Sequence, residues 1–189
     1  MTNSLKPSKE DIEKLIFIRH AEKPAMGLGL LTCKGLNRSL KLPDFFLRNF
    51  STPDYIFAPN PLVKATEIHG DGQRYYYVRP ILTIGPTAVR LGIPINTELP
   101  YNDPGLLADT LLEAKYHNAT IYLCWEHGDL VEFAAVMLKR FGSDQEVPEW
   151  DNDNYDMVFI FTINWTTDKP TLEFTTLMQD LGPISNDCP

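Results

Sequence analysis

Cysteine is scarce in this chain: Cys33, Cys124 and Cys188 are widely separated and fall in no C-x-x-C arrangement. Neither a disulfide framework nor a zinc site is expected, and the three read as buried or incidental thiols. No apolar stretch reaches the length of a membrane span, and Met1 to Lys14 is polar and mixed in charge, without the apolar run of a secretory signal. A cytoplasmic protein that avoids membranes is the expectation. Positive charge is also short, with 17 Lys and Arg against 25 Asp and Glu for a net charge of -8. That balance disfavours unspecific association with nucleic acid or anionic lipid, so any anion-binding pocket has to be local. Internal repeats and low-complexity segments are lacking too.

What is there is an ordinary globular complement. The 189 residues are 43% hydrophobic and 22% charged, with 15 prolines punctuating the loops. They fit one domain over 1–189, able to bury roughly 70% of its unfolded surface. Its core is expected over 15–177, with flexible ends and a tail frayed from Gly182. Leu15–Ile18, Tyr55–Ala58, Thr120–Trp125 and Met157–Ile163 are short apolar runs that predict strands, with Tyr75–Val78 a short strand and Thr171–Leu177 an edge strand.

Helical spacings lie between them. Leu36–Phe50 follows a Thr32 cap, is bent or interrupted at Pro43, and turns Leu36, Leu40, Phe46 and Leu47 inward. Thr83–Leu91 ends at Gly92. Pro104 opens a helix whose Leu106, Leu107, Leu111 and Leu112 form one core stripe, and Leu130–Phe141 is a further helix. Strand and helix alternate, which predicts an α/β fold with a mainly parallel sheet covered on both faces.

The chemistry sits at strand ends. Leu15–Ile18 stops at Arg19-His20, and Thr120–Trp125 stops at Glu126-His127-Gly128-Asp129. In a parallel sheet both ends reach the carboxyl rim, where open α/β sheets bind ligands. Two imidazoles and an arginine on one rim suit phosphoryl transfer. One ring attacks phosphorus, the other donates to the phosphoryl oxygens, and a guanidinium grips the phosphate through its planar fork. Taken alone, Arg-His is equally a basic pair in an ordinary loop. His69 and His117 lie in polar surroundings and are expected outside the chemistry. Trp125 and the Tyr75-Tyr76-Tyr77 run read as packing rather than nucleic-acid stacking platforms, and Glu146–Asp156 as a solvated acidic loop without calcium-loop spacing.

Arg19-His20-Ala21-Glu22-Lys23-Pro24 resembles the signature of the histidine phosphatase superfamily, the phosphoglycerate mutase-like proteins, whose usual form is Arg-His-Gly-Glu. The R-H-A-E-K-P opening is similar to that of one subgroup. Leu31-Thr32-x-x-Gly35-x-x-Arg38 resembles the element that opens the family's first helix. Thr87-Ala88 with Leu91-Gly92-Ile93-Pro94 is similar to its T-A-x-x-L-G-I-P stretch, and Glu126-His127-Gly128-Asp129 to its second-histidine segment. The resemblance spans about residues 15–165. It implies a three-layer α/β/α sandwich with a mainly parallel central sheet. The implied activity is a metal-independent phosphatase that hydrolyses a phosphomonoester through a covalent phosphohistidine on His20, with no cofactor and a phosphorylated small molecule as partner.

By the same resemblance Arg19 clamps the phosphate and His127 is the second histidine. The second pocket cation is either Arg79, in an Arg79-Pro80-Ile81-Leu82-Thr83-Ile84-x-Pro86 segment similar to the subgroup's, or Lys64 after Asn60-Pro61-Leu62. The general acid is open among Glu126, Asp129, Glu98 and Asp103. Glu22 is a carboxylate neighbouring the phosphate site, expected to pair with Lys23 or Arg19. Ala21 departs from the family's glycine. Room for a substrate-binding cap is confined to Pro59–Val78 and Glu98–Pro104, which favours a phosphatase over a mutase. Two alternatives stand beside this reading: an inactive relative that binds a phospho-ligand, and a protein phosphohistidine phosphatase.

Overall fold

The computed structural model describes residues 11–189; the flexible N-terminus expected from the sequence falls largely outside them. In chain order the elements are β1 (Ile12–Arg19), α1 (Cys33–Asn49), β2 (Tyr55–Phe57), β3 (Ala65–Thr66), β4 (Arg74–Tyr75), α2 (Arg79–Leu91), β5 (Ile95–Asn96), α3 (Pro104–Leu111), a 3-10 turn (Ala114–Tyr116), β6 (Thr120–Trp125), α4 (His127–Arg140), β7 (Met157–Asn164) and β8 (Thr171–Met178).

β1 is apolar on both of its faces. Leu15 and Phe17 enter one buried cluster and Ile16 and Ile18 another, all without solvent exposure. A strand of that kind needs cover on both sides, which puts it inside a sheet. The sheet order is β5-β2-β6-β1-β7-β8. The pairs β1 with β6, β6 with β2 and β2 with β5 are parallel, whereas β7 and β8 add antiparallel strands at one side. Leu42, Phe45 and Phe46 of α1 and Ile84 of α2 fill one face. Leu107 and Leu111 of α3 and Leu130, Phe133 and Met137 of α4 fill the other. The result is the three-layer α/β/α arrangement, each fully buried large side chain contributing roughly 1.5–3 kcal/mol.

Four local expectations are corrected. The inward face of α1 is Gly35, Arg38, Ser39, Leu42, Phe45 and Phe46, and the helix runs on through Pro43. Leu36, Leu40 and Leu47 face solvent, because the stripe that meets the sheet carries polar residues in its first two turns. Leu106 is likewise 42% exposed, so the α3 stripe is narrower than its leucines imply. α2 starts four residues earlier than expected, at Arg79, with Pro80 in its first turn. The strand expected over Tyr75–Val78 is instead β4, paired with β3 in a separate two-stranded hairpin.

A fifth correction concerns the thiols. Cys33 and Cys188 form a disulfide across a sequence separation of 155 residues, and only Cys124 is free among the described cysteines. The tail is accordingly held rather than frayed. Asn37 Nδ2 donates to the carbonyls of Ser185 and Asp187, and Lys41 Nζ to those of Leu181 and Pro183. Cys33, Asn37 and Lys41 recur every fourth residue, so one ridge of α1 carries all three grips. Among the described residues no helix is long and apolar enough to cross a membrane.

Candidate active site

β1 and β6 lie side by side with Arg19 opposite Trp125, so His20 and Glu126 leave the sheet at one rim. A cleft of about 740 Å³ opens there. Arg19 and His20 line it from β1, Tyr77 and Arg79 from the start of α2, and Glu126, His127 and Asp129 from the start of α4. Its outer walls come from Glu67 to His69 of the β3–β4 hairpin, from Tyr101, and from Asn152, Asp153 and Tyr155 before β7.

His20 is 2% exposed, and its Nδ1 lies 2.8 Å from the Ala21 carbonyl oxygen. A carbonyl only accepts, so Nδ1 carries the proton and Nε2 keeps its lone pair. Burial, then the neighbouring Arg79 and Arg19 charges, hold the imidazole well below the ordinary histidine range despite the Ala21 bond. The ring is therefore neutral at physiological pH, with its Nε2 lone pair available. The Ala21 amide donates to Thr83 Oγ1 at 2.9 Å, and Ala21 itself is buried, so the methyl that departs from the family's glycine fits without filling the cleft.

Arg19 and Arg79 are 2% and 4% exposed. Arg19 Nη1 donates to the carbonyls of Asn152 at 2.6 Å, Asn154 at 3.1 Å and Asp151 at 3.4 Å, and its guanidinium lies 4.1 Å from the centre of the Tyr155 ring. Arg79 Nη2 pairs with Glu67 Oε1 at 2.8 Å. Both Nε atoms are buried without a protein partner. An unpaired buried donor costs about 1–3 kcal/mol, and two guanidinium edges left this way in one cleft are donors that an anion would satisfy.

Glu126 caps α4 by accepting from the Asp129 amide at 3.0 Å. Burial opposes its ionisation, but the His127 ring, that amide and His20 outweigh it and bring the carboxyl down to about 2. His127 Nδ1 lies 2.5 Å from Glu126 Oε1, but not in the geometry of a hydrogen bond, which leaves the nitrogen without a partner. Nε2 of the same ring meets Asn152 Oδ1 at 2.8 Å. Asp129 has the opposite fate. Burial and then the like charges of Glu126 and Glu132 raise its carboxyl to about 7, against the helix N-terminus, whose pull toward ionisation is worth only about 0.3–1 kcal/mol.

The remaining sequence candidates lie elsewhere. Asp103 caps α3 and Glu98 is exposed in the loop after β5, both outside the cleft. Lys64 is exposed, sits 4.7 Å from the centre of the Tyr76 ring and does not line the cleft, whereas Arg79 does. Glu22 pairs with neither Arg19 nor Lys23. Its two oxygens take Arg38 Nε at 3.0 Å and Nη2 at 2.9 Å. That fork holds the segment after His20 against α1, where Gly35 is needed because a Cβ would stand 2.4 Å from the Glu22 carbonyl oxygen.

Several lining groups escaped the sequence reading. Glu67 is 2% exposed and holds Arg79, Lys23 and the Gly29 amide, yet nothing in its local sequence marks it. His69, expected outside the site, lines the cleft, as does part of the Glu146–Asp156 loop expected to be merely solvated. Among the described residues no group of three or more His, Cys, Asp or Glu side chains is arranged around a metal position.

This strand order, with its cleft at the carboxyl ends of β1 and β6, is that of a phosphoglycerate mutase-like fold. A solved structure that shares it is a protein assigned as the phosphohistidine phosphatase SixA from Nakamurella multipartitia, with TM-score 0.54 and 10% identity, covering 88% of this chain and 95% of that one. A phosphoserine phosphatase variant from Entamoeba histolytica, solved with phosphoserine, overlaps at TM-score 0.49 and 16% identity over 85% of this chain and 95% of that one. No family model and no curated protein sequence matches the chain.

Proposed function

We propose that this protein is a phosphatase that hydrolyses a phosphomonoester through a phosphohistidine on His20. The observation that carries the reading is the convergence on one cleft of a neutral, Nδ1-protonated His20 and two buried guanidinium edges without protein partners. In the first step His20 Nε2 attacks phosphorus. A P–N bond forms, the P–O bond to the leaving group breaks, and the departing oxygen takes the proton of Asp129. In the second step water attacks phosphorus, Asp129 takes back a proton, the P–N bond breaks and inorganic phosphate leaves. Arg19, Arg79 and His127 balance the charge on the phosphoryl oxygens throughout. Glu126, held ionised at about 2, cannot supply the proton at neutral pH and instead orients His127.

A second reading, a phospho-ligand binder without turnover, is favoured by one contact: His127 Nε2 is already engaged by Asn152. Hydrolysis of an aryl phosphate decides between the two. Turnover that persists with a chelator and is lost in His20→Ala supports the phosphatase. Phosphate binding without turnover of aryl phosphate, small phosphomonoesters or a phosphohistidine peptide supports the binder, and turnover unchanged in His20→Ala removes the covalent mechanism.

A further inference from the structure

Six buried side-chain atoms among the described residues lack a hydrogen-bond partner, and four of them belong to the cleft: Arg19 Nε, Arg79 Nε, His127 Nδ1 and the hydroxyl of Tyr77. The first three fall on residues already assigned to the phosphate. The fourth does not, and it is the most enclosed, since Tyr77 has no solvent exposure.

The surroundings of Tyr77 specify what its hydroxyl lacks. Its ring meets His20 edge-on at 6.1 Å and Tyr101 at 5.0 Å, and the Arg79 guanidinium stands 4.9 Å from the ring centre. Arginine only donates, so the most Arg79 can do is occupy an oxygen lone pair; the O–H proton still has no acceptor. A phenylalanine would fill the same space without the cost of about 1–3 kcal/mol for an unpaired buried polar group. A buried, unpaired O–H on a side chain that lines the cleft together with Arg19, Arg79 and His20 is matched by one kind of acceptor, an anionic oxygen held by those same groups.

Resting on the phosphatase reading of this cleft, we infer that Tyr77 is a further catalytic residue, whose hydroxyl donates a hydrogen bond to a non-bridging oxygen of the phosphoryl group during its transfer to and from His20. Its part is donation and not proton transfer. Burial holds the phenol well above its ordinary range although Arg79 opposes this, so the proton stays on Tyr77 while charge gathers on the phosphoryl oxygens. The bond strengthens as the trigonal-bipyramidal state forms, which places its effect in kcat and in the binding of orthovanadate more than in KM.

The test compares wild type with Tyr77→Phe, which keeps the ring contacts and removes one oxygen. The expected result is a kcat for aryl phosphate lower by about 10²-fold with little change in KM, and a vanadate inhibition constant raised by a comparable factor. The melting temperature stays at or above that of wild type. A variant with wild-type kcat and vanadate inhibition overturns the inference while leaving the phosphatase reading intact. A wild-type protein that binds neither inorganic phosphate nor orthovanadate overturns both. Should the variant fail to fold, carbon-labelled tyrosine NMR on wild type serves instead: titration with inorganic phosphate shifts one buried phenol signal if the inference holds and none if it does not.

Discussion

Glu126 and Asp129 sit in the same first turn of α4, three residues apart, and are driven in opposite directions. Glu126 has partners that prefer the anion, and Asp129 has burial and two neighbouring carboxylates. In the proposed mechanism that difference makes Asp129 the proton donor and gives turnover a pH dependence. The donor works only while protonated, so turnover of alkyl phosphates falls as pH rises through about 7. An aryl phosphate with a leaving group that needs no proton keeps a level rate over the same range. Asp129→Asn is expected to abolish that limb and slow alkyl phosphate hydrolysis by about 10²–10⁴-fold. A pH–rate profile that keeps the limb in the variant would count against this assignment.

Single residues were also where the sequence was least transparent. His20, Arg19 and His127 stood out because each follows an apolar strand, a signal that needs only local pattern. Glu67 and Tyr77 carry no such mark, since what defines them is burial beside Arg79, a residue 12 positions from one and 2 from the other. Glu98 and Asp103 were candidate acids because they follow the helix that ends at Gly92, where the resemblance allows an acid. Asp103 turned out to cap α3 by accepting from the Leu106 amide.

The chain's elements divide into a rigid rim and appended walls. β1, β6, α2 and α4 fix His20, Arg19, Arg79 and the Glu126–Asp129 turn, whereas the β3–β4 hairpin and the loop before β7 close the sides. α1 links the two parts. Its Arg38 forks onto Glu22 behind His20 and also reaches Asp156 and Gln179 beside the loop before β7, whose carbonyls grip Arg19. The outer ridge of that helix carries the disulfide and the C-terminal strap. Cross-linking residues 155 apart removes chain entropy worth up to about 5 kcal/mol, with typical measured effects of about 2–4 kcal/mol. Cys188→Ser is therefore expected to lower the melting temperature by roughly 5–15 °C, and a dithiol reductant should lower that of wild type equally. A wild-type melting temperature indifferent to reductant would contradict the strap.

Most strands and helices were legible from apolar runs and caps, Thr120–Trp125 to the residue. The inward face of α1 was not, because the side chains that meet the sheet near its start are Arg38 and Ser39, and polar residues leave no hydrophobic period to read. Nor was the disulfide, since pairing depends on where the tail returns and not on cysteine spacing.

Across the whole molecule, a net charge of -8 surrounds a cleft whose floor is cationic, so attraction for an anion is confined to Arg19, Arg79 and their neighbours. The parallel arrangement of β1 and β6 accounts for that focus, because it delivers two strand ends, 106 residues apart in sequence, to one rim. Everything proposed for the chemistry then depends on His20 becoming phosphorylated. The most direct measurement is to mix the protein with an aryl phosphate, quench in base within the first turnover, and map the covalently bound phosphoryl group by mass spectrometry. The account predicts an acid-labile, base-stable phosphoryl group on His20 that is absent from His20→Ala. A phosphoryl group on any other residue, or turnover that proceeds with none on the protein, would contradict it.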